Sequence, residues 1–374
     1  MALDIIVFLI GVAAVLAVLD SAIQTFLLPR SSRPTISRYV FIVIRIVFEL
    51  RMRMGKGYRE RDRIMALYTP LSLIAMYFVW LMVVCAGFTA MFWAIGVQPL
   101  RAAFAESGSS LLTLGFVAPK DVPQTILAFS EAAMGLLLVA VLIAYVPTLY
   151  SAWSKREAAV TMLEVRAGSP PSAQEMITRF HRLGRLDALH DLWEQWERWF
   201  IETEESHTTF AMLVFFRSPQ PERSWVTAAG AVLDTASLRA SALDLPRDAQ
   251  AELCIRSGYI ALRRIADFFG LPYDPEPKAT DPSSVTREQF DSVFNRLAAR
   301  GVPMKTDREQ AWRDFAGWRV NYDTVLLALA DFTLAPEAPW SSDKPVDKRG
   351  LAFTSRGAWQ RFRNLTRPPK GPKR

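Results

Sequence analysis

Three long apolar stretches in the first part of the sequence decide what this chain can fold into. Residues 5–29 are interrupted only by Asp20, residues 64–100 carry no charge, and residues 122–154 carry only Glu131. A helix of about 20 mostly apolar residues is long enough to cross the hydrocarbon core of a bilayer. The sequence therefore predicts an integral membrane protein with three transmembrane helices.

The charges that flank these stretches predict their orientation. Residues 30–63 contain ten Lys and Arg against three acids, and Lys155 and Arg156 follow the third stretch. Because Lys and Arg accumulate in cytoplasmic loops, residues 30–63 and everything after residue 155 are expected in the cytoplasm. In this multi-pass protein of the cell membrane, the N-terminus is then outside, and the loop at 97–121 enters from the outside.

A short turn between the second and third stretches carries the strongest functional signal. Residues 107–119 have the sequence Ser-Gly-Ser-Ser-Leu-Leu-Thr-Leu-Gly-Phe-Val-Ala-Pro. Non-helical backbone at membrane depth is tolerated only where it is buried in protein or lines a water-filled cavity. Backbone carbonyls and the Thr113 hydroxyl can replace the water shell of a cation, and Gly115 accepts the positive φ that aims successive carbonyls at one axis. The turn therefore predicts a conduction path surrounded by several subunits.

Residues 64–156 resemble the pore domain of the potassium channel superfamily, in the two-helix form found in many bacterial channels. Residues 100–112 stand where that family has its short pore helix, and Thr-Leu-Gly-Phe at 113–116 matches the first four positions of its Thr-Val/Ile-Gly-Tyr/Phe-Gly filter. The resemblance implies a homotetramer that conducts a monovalent cation, K⁺ above all, and needs no cofactor. It also implies a selectivity filter built from five residues: Thr113, Leu114, Gly115, Phe116 and Val117.

One position departs from that filter. Val117 replaces the second glycine, and Ala118 replaces the aspartate that usually follows. Because a β-branched residue rarely adopts a positive φ, the outermost ring of cation ligands is expected to be altered or absent. Two alternatives therefore stay open beside a potassium-type channel. One is a poorly selective cation channel, and the other is a non-conducting membrane sensor or scaffold that reuses the pore fold.

Polar side chains near the turn are candidates to support it. Ser107, Ser109 and Ser110 are placed to hydrogen-bond the turn from behind or to cap the pore helix. An ionisable residue such as Glu131 inside a membrane helix is costly, which points to a function. We expect Glu131 to brace the filter through serine or backbone donors. The alternative is a structural residue that is protonated or locally paired.

Two residues of the third apolar helix are gating candidates. Gly135 can allow a bend, and Pro147 removes one backbone hydrogen bond and can kink the helix near its cytoplasmic end. The alternative to a gate at Pro147 is a helix end that frays towards Ser151. Three further side chains are candidates to line the lower pore: Ile143, Val146 and Leu149.

Five segments are expected along the chain. Residues 1–30 form the N-terminal transmembrane helix, and residues 31–63 form an amphipathic helix on the inner membrane surface followed by a polar linker. The alternative for that amphipathic helix is packing on the cytoplasmic domain. Residues 64–156 are the pore domain, with outer helix, pore helix, filter and inner helix. Residues 157–340 are a helical cytoplasmic domain, and residues 341–374 are a basic disordered tail.

The cytoplasmic domain is expected to be all-α, because no alternating strand pattern appears in it. Capping boxes predict helix starts at Ser172, Thr286 and Thr306. Spacing of three and four residues predicts two buried helix faces, one containing Leu189, Leu192, Trp193, Trp196, Trp199 and Phe200, the other Phe290, Val293, Phe294 and Leu297. The whole chain is thus assigned to the all-α class, with three transmembrane helices, a re-entrant pore helix and filter loop, and a helical cytoplasmic domain.

Other functional classes lack a supporting pattern. His181, His190 and His207 are too scattered for a metal site, and no glycine-rich phosphate-binding motif occurs. No nucleophile lies in a recognisable catalytic setting, so the chain is not expected to be an enzyme. Much of the basic charge lies beside membrane helices, where lipid is a simpler partner than nucleic acid. No regulator of the cytoplasmic domain is assigned.

Overall fold

The computed structural model describes residues 1–26, 35–52 and 57–342. Most of these residues are helical, and among them there is no β-strand, only one isolated bridge. The predicted all-α class is confirmed for this part of the chain. The basic tail that we expected at 341–374 lies, apart from its first two residues, outside the described residues, as do parts of the linker expected within 31–63.

The described residues form two compact units, the first ending at Ala152 and the second beginning at Trp153. The first unit is built from α1 Ala2–Phe26, α2 Thr35–Met52, α3 Tyr58–Ala66, α4 Tyr68–Ala94, α5 Leu100–Leu111 and α6 Val122–Ala167. The last of these helices, α6, continues into the second unit. Three helical stretches, in α1, in α3 with α4, and in α6, are long and apolar enough to cross a membrane. The prediction of three helices of that length is confirmed.

The third apolar stretch belongs to a single helix of 46 residues, α6, with Pro147 inside it. The alternative of a helix end that frays towards Ser151 is wrong, because α6 continues to Ala167. Its later turns bury Val160 and Leu163 in the core of the second unit. Such packing of an apolar face stabilises a helix far more than local propensity does, so the helix continues beyond its proline.

Close contact between two glycines fixes α1 against α4. A Cβ atom added to Gly87 would lie 2.9 Å from the carbonyl oxygen of Gly11. Only glycine lets the two backbones approach so closely. At the other end of α1, the ring centroid of Phe26 lies 5.3 Å from that of Trp80 on α4 and 4.3 Å from that of Tyr145 on α6. The three long apolar helices therefore pack on one another.

Part of the segment that we predicted as a polar connector is helical. The connector was expected over residues 51–63, but α3 begins at Tyr58, and Asp62 is buried on it. Tertiary packing of this kind can stabilise a short charged helix that the sequence pattern does not reveal. The amphipathic helix expected before it is present as α2, and the hydroxyl of Tyr68 on α4 donates a hydrogen bond to the carbonyl of Phe41 on α2 at 3.3 Å.

The second unit is a bundle of helices around a nearly fully buried one. After α6, its helices are α7 Ala173–Arg182, α8 Leu189–Thr209, α9 Trp225–Ser241, α10 Ala249–Phe269, α11 Arg287–Ala299, α12 Arg308–Arg319 and α13 Asp323–Thr333. The buried helix is α9, whose small side chains let its neighbours approach closely. The aromatic face predicted on α8 and the apolar stripe predicted on α11 are both buried, so these two predictions are confirmed.

Two of the three predicted helix starts in the second unit are confirmed. The hydroxyls of Ser172 and Thr286 each accept a hydrogen bond from the backbone amide three residues later, and Thr286 forms the full reciprocal capping box. The third start is wrong by one residue. The carboxylate of Asp307, and not the hydroxyl of Thr306, caps α12. Thr and Asp are both good N-caps, so the sequence does not decide which of the two residues begins the helix.

One buried arginine joins several parts of the second unit. Arg319 on α12 has no exposed surface, and its guanidinium donates hydrogen bonds to the carboxylates of Asp234 on α9 and Asp323 on α13. It also donates to the carbonyl of Trp340, which follows α13. Burial raises the pKa of Asp234 to about 6, while the charge of Arg319 opposes that rise. The guanidinium of Arg319 therefore balances the negative charge of these two buried carboxyl groups.

We predict that Arg319→Met lowers the free energy of unfolding by about 3–5 kcal/mol, because it leaves two carboxyl groups buried without their cation. Chemical denaturation followed by tryptophan fluorescence measures this loss. The matched control is Arg313→Met on the same helix. Arg313 and its partner Glu309 are largely exposed, so that change should cost less than about 1 kcal/mol. Equal losses in the two variants would contradict the role given to Arg319.

Candidate functional site

The end of α5 shapes the turn that leads into α6, residues 112–121, which we call the α5–α6 turn. The amide of Thr113 donates to the carbonyl of Ser110 at 3.0 Å, and the amide of Leu114 donates to the carbonyl of Ser109 at 2.8 Å. This pair of hydrogen bonds is a Schellman motif, which satisfies the last carbonyls of a helix. The motif requires a left-handed residue just after the helix, and Thr113 takes that place with φ of +52°.

Thr113 is an unusual residue for this conformation. Glycine is the usual choice, because a β-branched side chain with positive φ is a steric outlier. Such a conformation costs on the order of 1–3 kcal/mol and tends to occur at ligand clamps and other functional sites. The sequence did not reveal this strain, because a helix end can fall one residue earlier or later. The strained position is the first residue of the predicted filter.

The second left-handed residue of the turn is Gly115, with φ of +71°. No atom lies within 4 Å of the place where its Cβ would be, so the backbone conformation and not a lack of space calls for glycine. Gly115 therefore has the conformation that we predicted for it. Val117 has no positive φ, and its amide donates to the hydroxyl of Ser109 at 3.2 Å. The left-handed residues of the turn thus stop before Val117.

The apolar side chains of the α5–α6 turn are uncovered in a single chain. Leu112, Leu114 and Phe116 are each more than half exposed. Exposed apolar groups clustered in this way mark a surface that is covered by another molecule or by lipid. At the far end of the turn, the carboxylate of Asp121 accepts from the amide of Gln124 at 2.9 Å and caps α6. Both ends of the turn are therefore held by helices, while its middle is open.

Of the predicted supporting residues, Ser109 contacts the turn most directly. Its carbonyl accepts from Leu114 and its hydroxyl accepts from Val117. Ser110 takes part through its backbone carbonyl, which accepts from Thr113. Glu131 does not reach the turn; its Oε1 atom lies 2.6 Å from the hydroxyl oxygen of Ser107 on α5. Glu131 is thus bonded to a serine of α5, an arrangement that fits both possibilities that the sequence left open.

The gating candidates lie along α6. Gly135 packs directly on the carbonyl oxygen of Leu111, where a Cβ atom would collide with it, so this glycine lets α6 approach the end of α5. Pro147 lies further along the same helix. Of the side chains proposed to line a lower pore, Ile143 and Val146 are exposed, but Leu149 is buried within the chain. Leu149 is therefore not available to line a pore, and that prediction is wrong.

Sequence reasoning missed Glu106 as a site residue. Glu106 lies on α5 and is buried, and its Oε1 atom has no hydrogen-bond partner among the described residues. The Oε2 atom of Glu131 is buried and unpartnered in the same way. The available signal in the sequence was a glutamate, Glu106, directly before Ser107 in a short helix. The burial of Glu106 depends on tertiary contacts that spacing does not show.

A second buried polar cluster lies where α6 enters the second unit. Arg156 donates to the carbonyls of Leu213 at 2.9 Å and Phe216 at 2.7 Å, and it pairs with the carboxylate of Glu157. Its Nη1 atom also lies 3.1 Å from Nε2 of His207 on α8. These contacts tie α6 to the segment between α8 and α9. The sequence identified neither Arg156 nor His207 as partners.

The imidazole of His207 is held in one neutral form. Its Nδ1 atom lies 2.8 Å from the carbonyl oxygen of Thr203, so Nδ1 carries the proton and Nε2 accepts from Arg156. Burial lowers the pKa of His207 well below its usual range, and the charge of Arg156 lowers it further. The folded chain therefore resists binding a proton that the unfolded chain accepts.

We predict that His207 contributes a loss of stability to the second unit as the pH falls through about 6.5, against an opposite contribution from Asp234, whose pKa burial raises to about 6. The unfolded chain then protonates His207 while the folded chain does not, which costs up to about 1.4 kcal/mol per pH unit. Unfolding followed by tryptophan fluorescence between about pH 6.5 and about pH 5.5 measures this slope. His207→Gln should remove the His207 contribution, and the difference in slope between the two proteins isolates it from that of Asp234. The control His190→Gln changes an exposed histidine and should leave the slope as it is; an unchanged slope in His207→Gln would contradict the assignment.

We predict that Thr113→Gly raises the free energy of unfolding by about 1 kcal/mol or more, because glycine removes the steric cost of the left-handed conformation. Thermal unfolding of the purified chain measures the change. Gly115→Ala is the converse change, because it introduces the same kind of strain two residues later. It should lower the free energy of unfolding. A loss of stability in Thr113→Gly would show that Thr113 is not strained.

In comparisons with protein families, curated proteins and solved structures, the chain has no match. No relative therefore supplies a function or a set of functional residues. The function has to be inferred from three features of the chain itself: the strained α5–α6 turn, the buried carboxyl groups behind it, and the three helices of membrane-spanning length.

Proposed function

We propose that this protein is a membrane-embedded cation channel, of potassium type, in which four copies of the chain surround one conduction path. The observation that carries the proposal is the α5–α6 turn, which has left-handed backbone at Thr113 and Gly115 and lies between two helices. The five residues of the proposed filter are Thr113, Leu114, Gly115, Phe116 and Val117.

The backbone of the turn supports a role in binding cations. Left-handed residues that alternate with ordinary ones can turn successive carbonyl oxygens to the same side, as a dehydrated cation requires. The turn directly follows the C-terminal end of α5, which carries the partial negative charge of the helix dipole and attracts cations. One chain provides one strand of such oxygens, so closed symmetry around an axis is needed to complete the ring.

The exposed apolar surface supports both the membrane and the oligomer. α1 and α6 carry many exposed apolar side chains, which water disfavours and which lipid or other subunits would cover. Leu114 and Phe116, exposed in the turn itself, would be covered by the neighbouring copies. In this proposal the membrane is the cell membrane, the N-terminus is outside, and the second unit is cytoplasmic.

Val117 bears on selectivity. Because it lacks the positive φ of Gly115, the outer end of the filter would provide fewer aligned carbonyls than a filter with two glycines. A poorly selective cation channel is therefore the second candidate, and Val117 is the observation that favours it. A non-conducting sensor or scaffold is the third. Gating at Gly135 or Pro147 remains part of the proposal, because both lie on the helix that would line the path.

The test is cation flux into lipid vesicles that contain the purified full-length chain, with K⁺ and Na⁺ compared in planar bilayers. We expect K⁺ flux above that of empty vesicles, and we expect Gly115→Ala to abolish it because alanine disfavours the left-handed conformation. The control is Gly108→Ala on α5, where an added Cβ meets no atom within 4 Å, and flux should persist.

Two other results would decide against potassium-type conduction. Equal permeation of K⁺ and Na⁺ would support the poorly selective channel. Absence of flux from vesicles in which cross-linking shows four associated chains would support the scaffold. A chain that stays monomeric in lipid would remove the basis of the proposal, since a single turn cannot surround a cation.

A further inference from the structure

Two carboxyl groups lie behind the α5–α6 turn, and each leaves one oxygen without a donor. Glu131 on α6 is 0% exposed and Glu106 on α5 is 4% exposed. Among the described residues, no group donates to Oε2 of Glu131 or to Oε1 of Glu106. Burying a carboxylate without a donor or a cation is very costly, so such groups tend to be neutral.

The hydroxyl of Ser107 shows where a proton is needed. Its oxygen lies 2.6 Å from Oε1 of Glu131 and 3.0 Å from the carbonyl oxygen of Cys85 on α4. Both partners are acceptors when Glu131 is ionised, but a serine hydroxyl has a single proton to donate. Both contacts are hydrogen bonds at once only if the carboxyl group of Glu131 is protonated and donates to Ser107, which then donates to Cys85.

The charged groups around the pair favour the same state. The charge of Glu106 acts on Glu131, and Lys120 and Asp121, which precede α6, act on Glu106 with opposite signs. α4 contributes the thiol of Cys85, whose sulfur lies 3.4 Å from the Ser107 oxygen. No lysine or arginine among the described residues forms an ion pair with either carboxyl group. The charge of Glu106 would repel that of Glu131 if both were ionised, which disfavours double ionisation.

We infer that Glu131 and Glu106 form a buried proton-binding site, and that one proton held there lets Ser107 on α5 bond to α6 and to α4 at the same time. The chain of hydrogen bonds runs from Glu131 through Ser107 to the carbonyl of Cys85, so the same proton joins three helices. Loss of this proton would leave a buried negative charge on Glu131 and turn the single proton of Ser107 towards it, so the bond from Ser107 to the carbonyl of Cys85 on α4 would be lost. The inference depends on the packing of the first unit and not on conduction.

Infrared spectroscopy of the full-length chain in lipid tests the site directly. We expect a band from a protonated, hydrogen-bonded carboxylic acid at about pH 7, and Glu131→Gln should remove it. The amide of glutamine can still donate to Ser107, so this variant should fold. Ser107→Ala keeps the acid but removes its partner, and should shift the band to the position of an unbonded acid. The control is Glu175→Gln, which changes a carboxylate paired with Arg179 and should leave the band in place.

Thermal unfolding against pH gives a second readout. The melting temperature of the wild type should fall as the pH rises from about 7 to about 10, where the buried proton is lost, and Glu131→Gln should lack this fall. A wild type without the acid band, or a Glu131→Gln variant that keeps both the band and the alkaline fall, would overturn the inference. Neither readout needs ion flux. Flux that is absent while the band is present would count against the proposed channel alone.

Discussion

Ser109 is the residue on which the α5–α6 turn depends. Its carbonyl accepts from the amide of Leu114 and its hydroxyl accepts from the amide of Val117, so one buried side chain and its own backbone hold both sides of the turn. A backbone that satisfies its polar groups in this way has little freedom to relax. Thr113 keeps its left-handed conformation because these hydrogen bonds, together with the end of α5, fix the backbone on both sides of it.

Much of the fold follows from the sequence by elementary rules. The apolar stretches are long enough to require helices of membrane-spanning length, and α1, α4 and α6 contain them. The three- and four-residue spacing of the aromatic residues on α8 places them on one face, which is buried as expected. Gly115 was identified because glycine alone adopts a positive φ without cost. These features depend on residues near one another in the chain.

The features that sequence reasoning missed depend on contacts between distant residues. Glu106 and Glu131 are far apart in the chain, and nothing in their local sequence shows that Ser107 on α5 contacts Glu131 on α6. His207 has no local signal either, since its neutral form is set by Arg156 on another helix. The alternative of a helix end near Ser151 came from Pro147, because a proline near a polar region usually indicates an end, but α6 continues to Ala167. In each case tertiary burial decided the outcome.

The bonds around Arg319 have a practical meaning for where the chain can be shortened. Its guanidinium holds the carbonyl of Trp340, and the Trp340 ring lies against Phe315 with centroids 5.4 Å apart. A segment that follows the last helix is thus part of the hydrophobic core and completes the coordination of a buried cation. The smallest cooperative version of the second unit must therefore extend at least to that tryptophan, and a cut made just after α13 would open its interior to water.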